Sequence, residues 1–115
     1  MLRFAPTRSK ESPAYERPDQ KHRVDQAVQA QARRARAMSR QIHAWAERPF
    51  REVKSSQCLA EYLGEQGFAV EFPFKKIPTA FRATWGAGKP AVGMLGEYDA
   101  LPGCNVDPDS DWGHG

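Results

Sequence analysis

The chain has 115 residues, 40% of them hydrophobic and 27% charged, with a formal net charge of +3 and a mean hydropathy of −0.71. That length allows one small domain with a modest core, while three Trp, six Phe and three Tyr exclude a wholly unfolded chain. No apolar run is long enough to span a membrane, and residues 1–13 lack the apolar segment of a secretory signal. Cys58 and Cys104 form neither a C-x-x-C pair nor a disulfide framework. The expectation is a cytoplasmic location with no membrane partner.

Residues 1–22 carry Pro6, Pro13 and Pro18 among charged and small polar residues. They offer no apolar face whose burial would offset the entropy of ordering, so they are expected to form a disordered basic arm. The positive charge is concentrated here and just beyond, at Arg3, Arg8, Lys10, Arg17, Lys21, Arg23, Arg33, Arg34, Arg36 and Arg40. Such a bias can mark a nucleic-acid contact. No nucleic-acid motif and no interleaved aromatic residues accompany it, so a solvated helix face is the expected reading and no nucleic-acid partner is assigned.

From Val24 the apolar residues Val28, Ala32, Ala35, Met38, Ile42 and Trp45 recur at steps of three and four, which predicts an amphipathic helix that ends before Pro49. A second helix is predicted over residues 53–66, with Cys58, Leu59, Tyr62 and Leu63 inward and Gly67 closing it in a left-handed conformation. The period then shortens to two. Phe68, Val70 and Phe72 alternate with Ala69 and Glu71 as in a half-buried strand. Pro73 and Pro78 mark an edge or a connection, a second strand is expected over 79–85, and Gly86, Gly88 and Pro90 supply a turn. Residues 91–95 are apolar on both faces, which predicts a central strand covered on both sides in an α/β layer.

Two carboxylates, Glu97 and Asp99, follow where that strand would surface, and open α/β sheets place ligands beyond the carboxyl ends of strands. A continued strand would turn them to opposite sides, whereas a turn would let one face a cleft. An ordinary loop stands as the alternative. Asp107, Asp109 and Asp111 lack the central glycine and distal glutamate of a calcium loop and read as solvated acids. His114 has no nearby second imidazole or thiolate, so it forms no metal site by itself.

The runs Ile77-Pro78-Thr79-Ala80-Phe81, Trp85-Gly86-Ala87-Gly88-Lys89-Pro90, Gly96-Glu97-Tyr98-Asp99-Ala100-Leu101-Pro102-Gly103 and Gly113-His114-Gly115 resemble, in order and spacing, the metallopeptidase-type amidohydrolases that include the p-aminobenzoyl-glutamate hydrolases and aminoacylases. The resemblance reaches back through Ala46-Glu47, Phe50, Glu52 and Lys54-Ser55-Ser56 to cover residues 24–115. It implies two N-terminal helices followed by the first strands of a zinc-peptidase-like catalytic domain, cut short, with residues 23–115 as its incomplete beginning. It implies Glu97, Asp99 and His114 as near-site residues, Asp99 beside the metal site as an orienting acid and His114 as a histidine preceding the ligands. No metal ligand lies within the chain by this resemblance, because the ligand Cys and His are expected just after Gly115. Cys104 is not that cysteine, since Gly-His does not follow it.

Full-length relatives are implied to be oligomeric hydrolases of N-acyl or aminobenzoyl amino-acid amide bonds, dependent on zinc or manganese. The isolated chain is expected to bind no metal and to be inactive. The competing expectations are a small basic interaction protein without catalysis and a self-sufficient α+β domain. The latter requires residues 91–95 to find neighbours on both edges.

Overall fold

In the computed structural model, residues 18–104 and 112–113 are described. They form helix α1 (Pro18–Trp45), helix α2 (Val53–Glu65), and the short strands β1 (Ala69–Glu71), β2 (Arg82–Thr84), β3 (Leu101–Pro102) and β4 (Trp112–Gly113). The result is a mixed α/β structure whose two small sheets, β1–β2 and β3–β4, are both antiparallel. Packing divides the chain into two units between Arg33 and Arg34.

Helix α1 starts earlier than the apolar spacing alone predicts. Pro18 stands at its first position, where a missing N–H costs nothing, and Asp19 in the first turn complements the helix dipole. The expected disordered arm therefore overlaps the helix at residues 18–22, and its remainder lies outside the described residues. In the first unit Val24 and Val28 of the apolar stripe are exposed and Ala32 is half-buried. In the second unit Met38, Ile42 and Trp45 are half-buried, and the helix ends as Ala46 turns to a φ of +43°. Arg33, Arg36 and Arg40 are exposed, as a solvated face requires. Arg34 instead pairs with Glu65 and lies 4.7 Å from the centre of the Tyr62 ring.

The turn from α1 to α2 is built by Pro49 and Phe50. The Arg51 N–H donates to the Arg48 carbonyl at 2.9 Å and Phe50 adopts a φ of +61°, the bond and the positive φ of a type II turn with proline at its first central position. Helix α2 closes as the sequence predicts. The Gly67 N–H donates to Gly64 O and the Phe68 N–H to Leu63 O, with Gly67 at φ +90°, a left-handed terminus. A Cβ on Gly67 would stand 2.7 Å from the Trp85 ring, which itself packs on Phe68 with centroids 5.5 Å apart. Glycine is required here for both backbone and space.

Strands β1 and β2 pair Ala69 with Thr84, Val70 with Ala83 and Glu71 with Arg82, and the last pair carries a cross-strand ion pair at 2.7 Å. The predicted spans of 68–72 and 79–85 shrink to three residues each because the connection is itself ordered. The Ile77 N–H donates to Phe74 O at 3.0 Å, with Lys75 at φ +52° and Lys76 at φ +65° forming a tight reversal.

The inward face of α2 also differs from expectation. The buried residues are the small ones, Ser55, Ser56 and Ala60, while Cys58, Leu59, Tyr62 and Leu63 are half-buried. Among the described residues the buried apolar core is Ala60 and Ala100 alone, so hydrogen bonds carry an unusual share of the organisation.

The expected central strand is overturned. Residues 91–95 form no strand, and Val92, Met94 and Leu95 are 85%, 98% and 95% exposed. Apolarity on both faces specifies a strand only where neighbours exist, and β1 and β2 pair with each other instead. Two further pairings, without a local signal in the sequence, tie Leu101 to Gly113 and Pro102 to Trp112.

Two outcomes follow from this packing. Gly67→Ala should lower the unfolding free energy by more than about 1 kcal/mol, since alanine at positive φ is strained before its contact with Trp85 is counted; a urea titration reads this. Leu95→Lys should raise the concentration at which the chain stays monomeric in light scattering without lowering its thermal midpoint, because the unpaired apolar run is an association edge.

Candidate functional site

The site is organised from Glu47, in the linker after α1. Its Oε1 accepts the Lys54 N–H at 3.0 Å, and its Oε2 accepts the Ser55 N–H at 2.8 Å and the Ser55 hydroxyl at 2.7 Å. These are first-turn donors of α2 that the helix cannot satisfy itself. A carboxylate there also meets the positive end of the helix dipole. The residue before the helix, Glu52, makes no side-chain cap, so Glu47 caps α2 from outside. Burial pushes the Glu47 carboxyl up. The bonds from the Lys54 N–H, the Ser55 N–H and the Ser55 hydroxyl, with the Lys54 charge, outweigh this and hold it below the ordinary value of 4.5.

The backbone of Glu47 does a second thing. Its carbonyl accepts the Ala100 N–H at 2.7 Å, and Ala100 is fully buried. The linker thereby fixes the segment that carries Glu97, Tyr98 and Asp99. Tyr98 is fastened again from the other side: its hydroxyl donates to the Thr79 carbonyl. Its ring stacks on Phe81 at 6.1 Å and 17°, and Phe81 meets Phe72 edge-on at 6.4 Å. Burial, and then the nearby Glu52 charge, raise the Tyr98 phenol above its ordinary value, which keeps the donating proton in place.

Between the 49–52 turn, the 77–80 turn and the 96–99 segment opens a cleft of about 310 Å³. Its walls include Phe50, Glu52, Thr79, Glu97, Tyr98 and Asp99. Glu97 and Asp99 both face it; the segment is not a strand, so the alternation that would separate them does not apply. Glu97 is exposed and Asp99 half-buried. His114, like Asp107, Asp109 and Asp111, lies outside the described residues, and Cys104 is exposed.

Sequence reasoning did not single out Tyr98 or Thr79 as site residues, and it noted Glu52 only for family likeness. Glu52 is 8% exposed; its Oε1 accepts the Phe50 N–H at 2.9 Å and its Oε2 is buried without a partner among the described residues. Nothing in the local sequence marks a buried acid at that position. Phe50, a bulky residue at positive φ beside the cleft, is the kind of backbone strain that gathers at ligand sites. Among the described residues no group of three or more His, Cys, Asp and Glu side chains has the arrangement to hold a metal, so the cleft's acids do not by themselves fit one. No helix among the described residues is long and apolar enough to cross a membrane.

Compared with known proteins, the chain is similar to a hydrolase, in agreement with the resemblance carried by the E-Y-D-A-L-P-G run. It is 41% identical over 80 residues, 70% of its length, to one of the subunits of p-aminobenzoyl-glutamate hydrolase, the B chain of the enzyme from Escherichia coli (strain K12). It spans 17% of that relative's length, consistent with a fragment of that family. No protein-family model matches the chain, and no solved structure matches it.

The Glu47 geometry fixes a pH dependence. A carboxyl held below its ordinary value contributes stability above pH 4.5, and the contribution is lost as pH falls through its folded value. Glu47→Gln should cost about 1 to 2 kcal/mol at neutral pH, the scale of a lost helix cap. The difference between the two proteins in denaturant titrations should shrink as the solution is acidified below pH 4.5.

Proposed function

We propose that the chain is the N-terminal part of the catalytic domain of a metal-dependent amidohydrolase. The substrate class is an amide between an aminobenzoyl or other acyl group and an amino acid. The observation that carries this reading is the 41% identity over 80 residues to a p-aminobenzoyl-glutamate hydrolase subunit. The metal ligands and the general base belong, by resemblance, to sequence beyond this chain. What this chain contributes is the scaffold next to the site: Glu47 fixes the segment bearing Glu97 and Asp99, and Asp99 serves as an orienting acid for a neighbouring ligand.

The 115 residues alone do not catalyse the reaction. The bare apolar segment at 91–95 supports this. Apolar on both faces and left bare, it has the composition of a segment that packs only when neighbours cover it, and the remaining length of a relative would supply them.

The reading is tested by mixing the purified chain with the E. coli relative from which the matching N-terminal segment has been removed, and measuring hydrolysis of p-aminobenzoyl-glutamate with added zinc or manganese. Neither piece should exceed buffer alone. Together they should release p-aminobenzoate, and a chelator should abolish the release. Activity from the chain alone would refute its inactivity, and no recovery on mixing well-folded pieces would refute the assignment.

A further inference from the structure

The cleft between the 49–52, 77–80 and 96–99 segments has a chemistry of its own. Glu52, Glu97 and Asp99 line it, and among the described residues no basic one does. Glu52 adds an observation independent of that acidity. More than nine-tenths buried at 8% exposure, it spends Oε1 on the Phe50 N–H and leaves Oε2 shielded and unpartnered. A buried acceptor without a donor is costly, so the site favours an occupant that brings N–H groups.

Charge and shape narrow what that occupant is. A divalent metal is disfavoured, because these acids are not arranged as a ligand group among the described residues. An anion would meet like charge on several sides. An organic cation meets opposite charge, and its aliphatic stem has a surface to lie on. Phe50 is 75% exposed and Ile77 40% exposed, both at the cleft, and apolar stems with charged heads divide themselves between such surfaces.

We propose that this cleft binds an alkylguanidinium or alkylammonium group, the chemistry at the end of an arginine or lysine side chain. The stem lies against Phe50 and Ile77. The head enters between Glu97 and Asp99 and donates toward Glu52, with a small shift of the Phe50 turn admitting it to Oε2. Such binding does not depend on the hydrolase reading.

The test is a backbone amide NMR titration of the whole chain with n-butylguanidinium, with n-butylammonium as a second arm and n-butanol as the neutral control. Saturable shifts at the Phe50, Glu52 and Tyr98 amides are expected with the cations and not with butanol, and added salt should weaken them. The two cationic arms rank guanidinium against ammonium. Glu97→Gln, at an exposed position, should weaken binding several-fold without unfolding the chain, and Glu52→Gln should abolish it if its spectrum stays dispersed. Absence of saturable shifts at those amides, equal shifts with butanol, or unchanged affinity in Glu97→Gln would overturn the proposal.

Discussion

Glu47 makes two attachments at once. Its carboxylate takes the free donors at the start of α2, and its carbonyl takes the Ala100 N–H. A helix of 13 residues is marginal on its own. Where, among the described residues, the buried apolar ones are Ala60 and Ala100, little hydrophobic area is available to hold it. The attachment through Glu47 is therefore what brings the helix, the linker and the 98–100 segment into one arrangement, and the cleft exists because those three are held together. The polar buried set of Glu52, Ser55, Ser56 and Thr79 belongs to the same arrangement. Ser55 bonds Glu47, Ser56 bonds the Val53 carbonyl, and Thr79 supplies the carbonyl for Tyr98. Among the described residues, Glu52 alone leaves a buried side-chain atom without a partner.

This organisation connects to the hydrolase family through position. The segment with the most specific likeness, Gly96 to Gly103, is also the one that Glu47 and Tyr98 fasten. On the proposed reading, the chain prepares one wall of a catalytic site whose reacting groups come from elsewhere. The bare run at 91–95 then has a physical explanation. An apolar run between Pro90 and Gly96 has the composition suited to the middle of a larger sheet, and among the described residues it has no neighbours to pair with and forms no strand.

Much of the local structure was legible in the residues. The stripe from Val24 to Trp45 marked α1, Gly67 marked the end of α2 and the shift to period two marked β1, because each of these is set by neighbours within a turn or two. Failures came where distant partners decide. Residues 91–95 carry the right pattern for a buried strand, but pattern cannot supply a partner. Pairing of Leu101 with Gly113 has no local signal either. Within the site, Glu97 and Asp99 could be read as acids near a strand end. Their convergence with Glu52 could not, since it depends on a tight turn at Pro49 and Phe50 that brings a residue 45 positions earlier than Glu97 to the same cleft.

The central claim is that the Glu47 attachments make α2 and the 98–100 segment one cooperative unit, and amide hydrogen exchange tests it most directly. The Ala100 and Ser55 amides should exchange slowly and with similar opening free energies, while the amides of residues 91–95 exchange near the unprotected rate. Fast exchange at Ala100 beside a protected Ser55 would show that the helix is capped without holding the cleft wall, and would contradict the account.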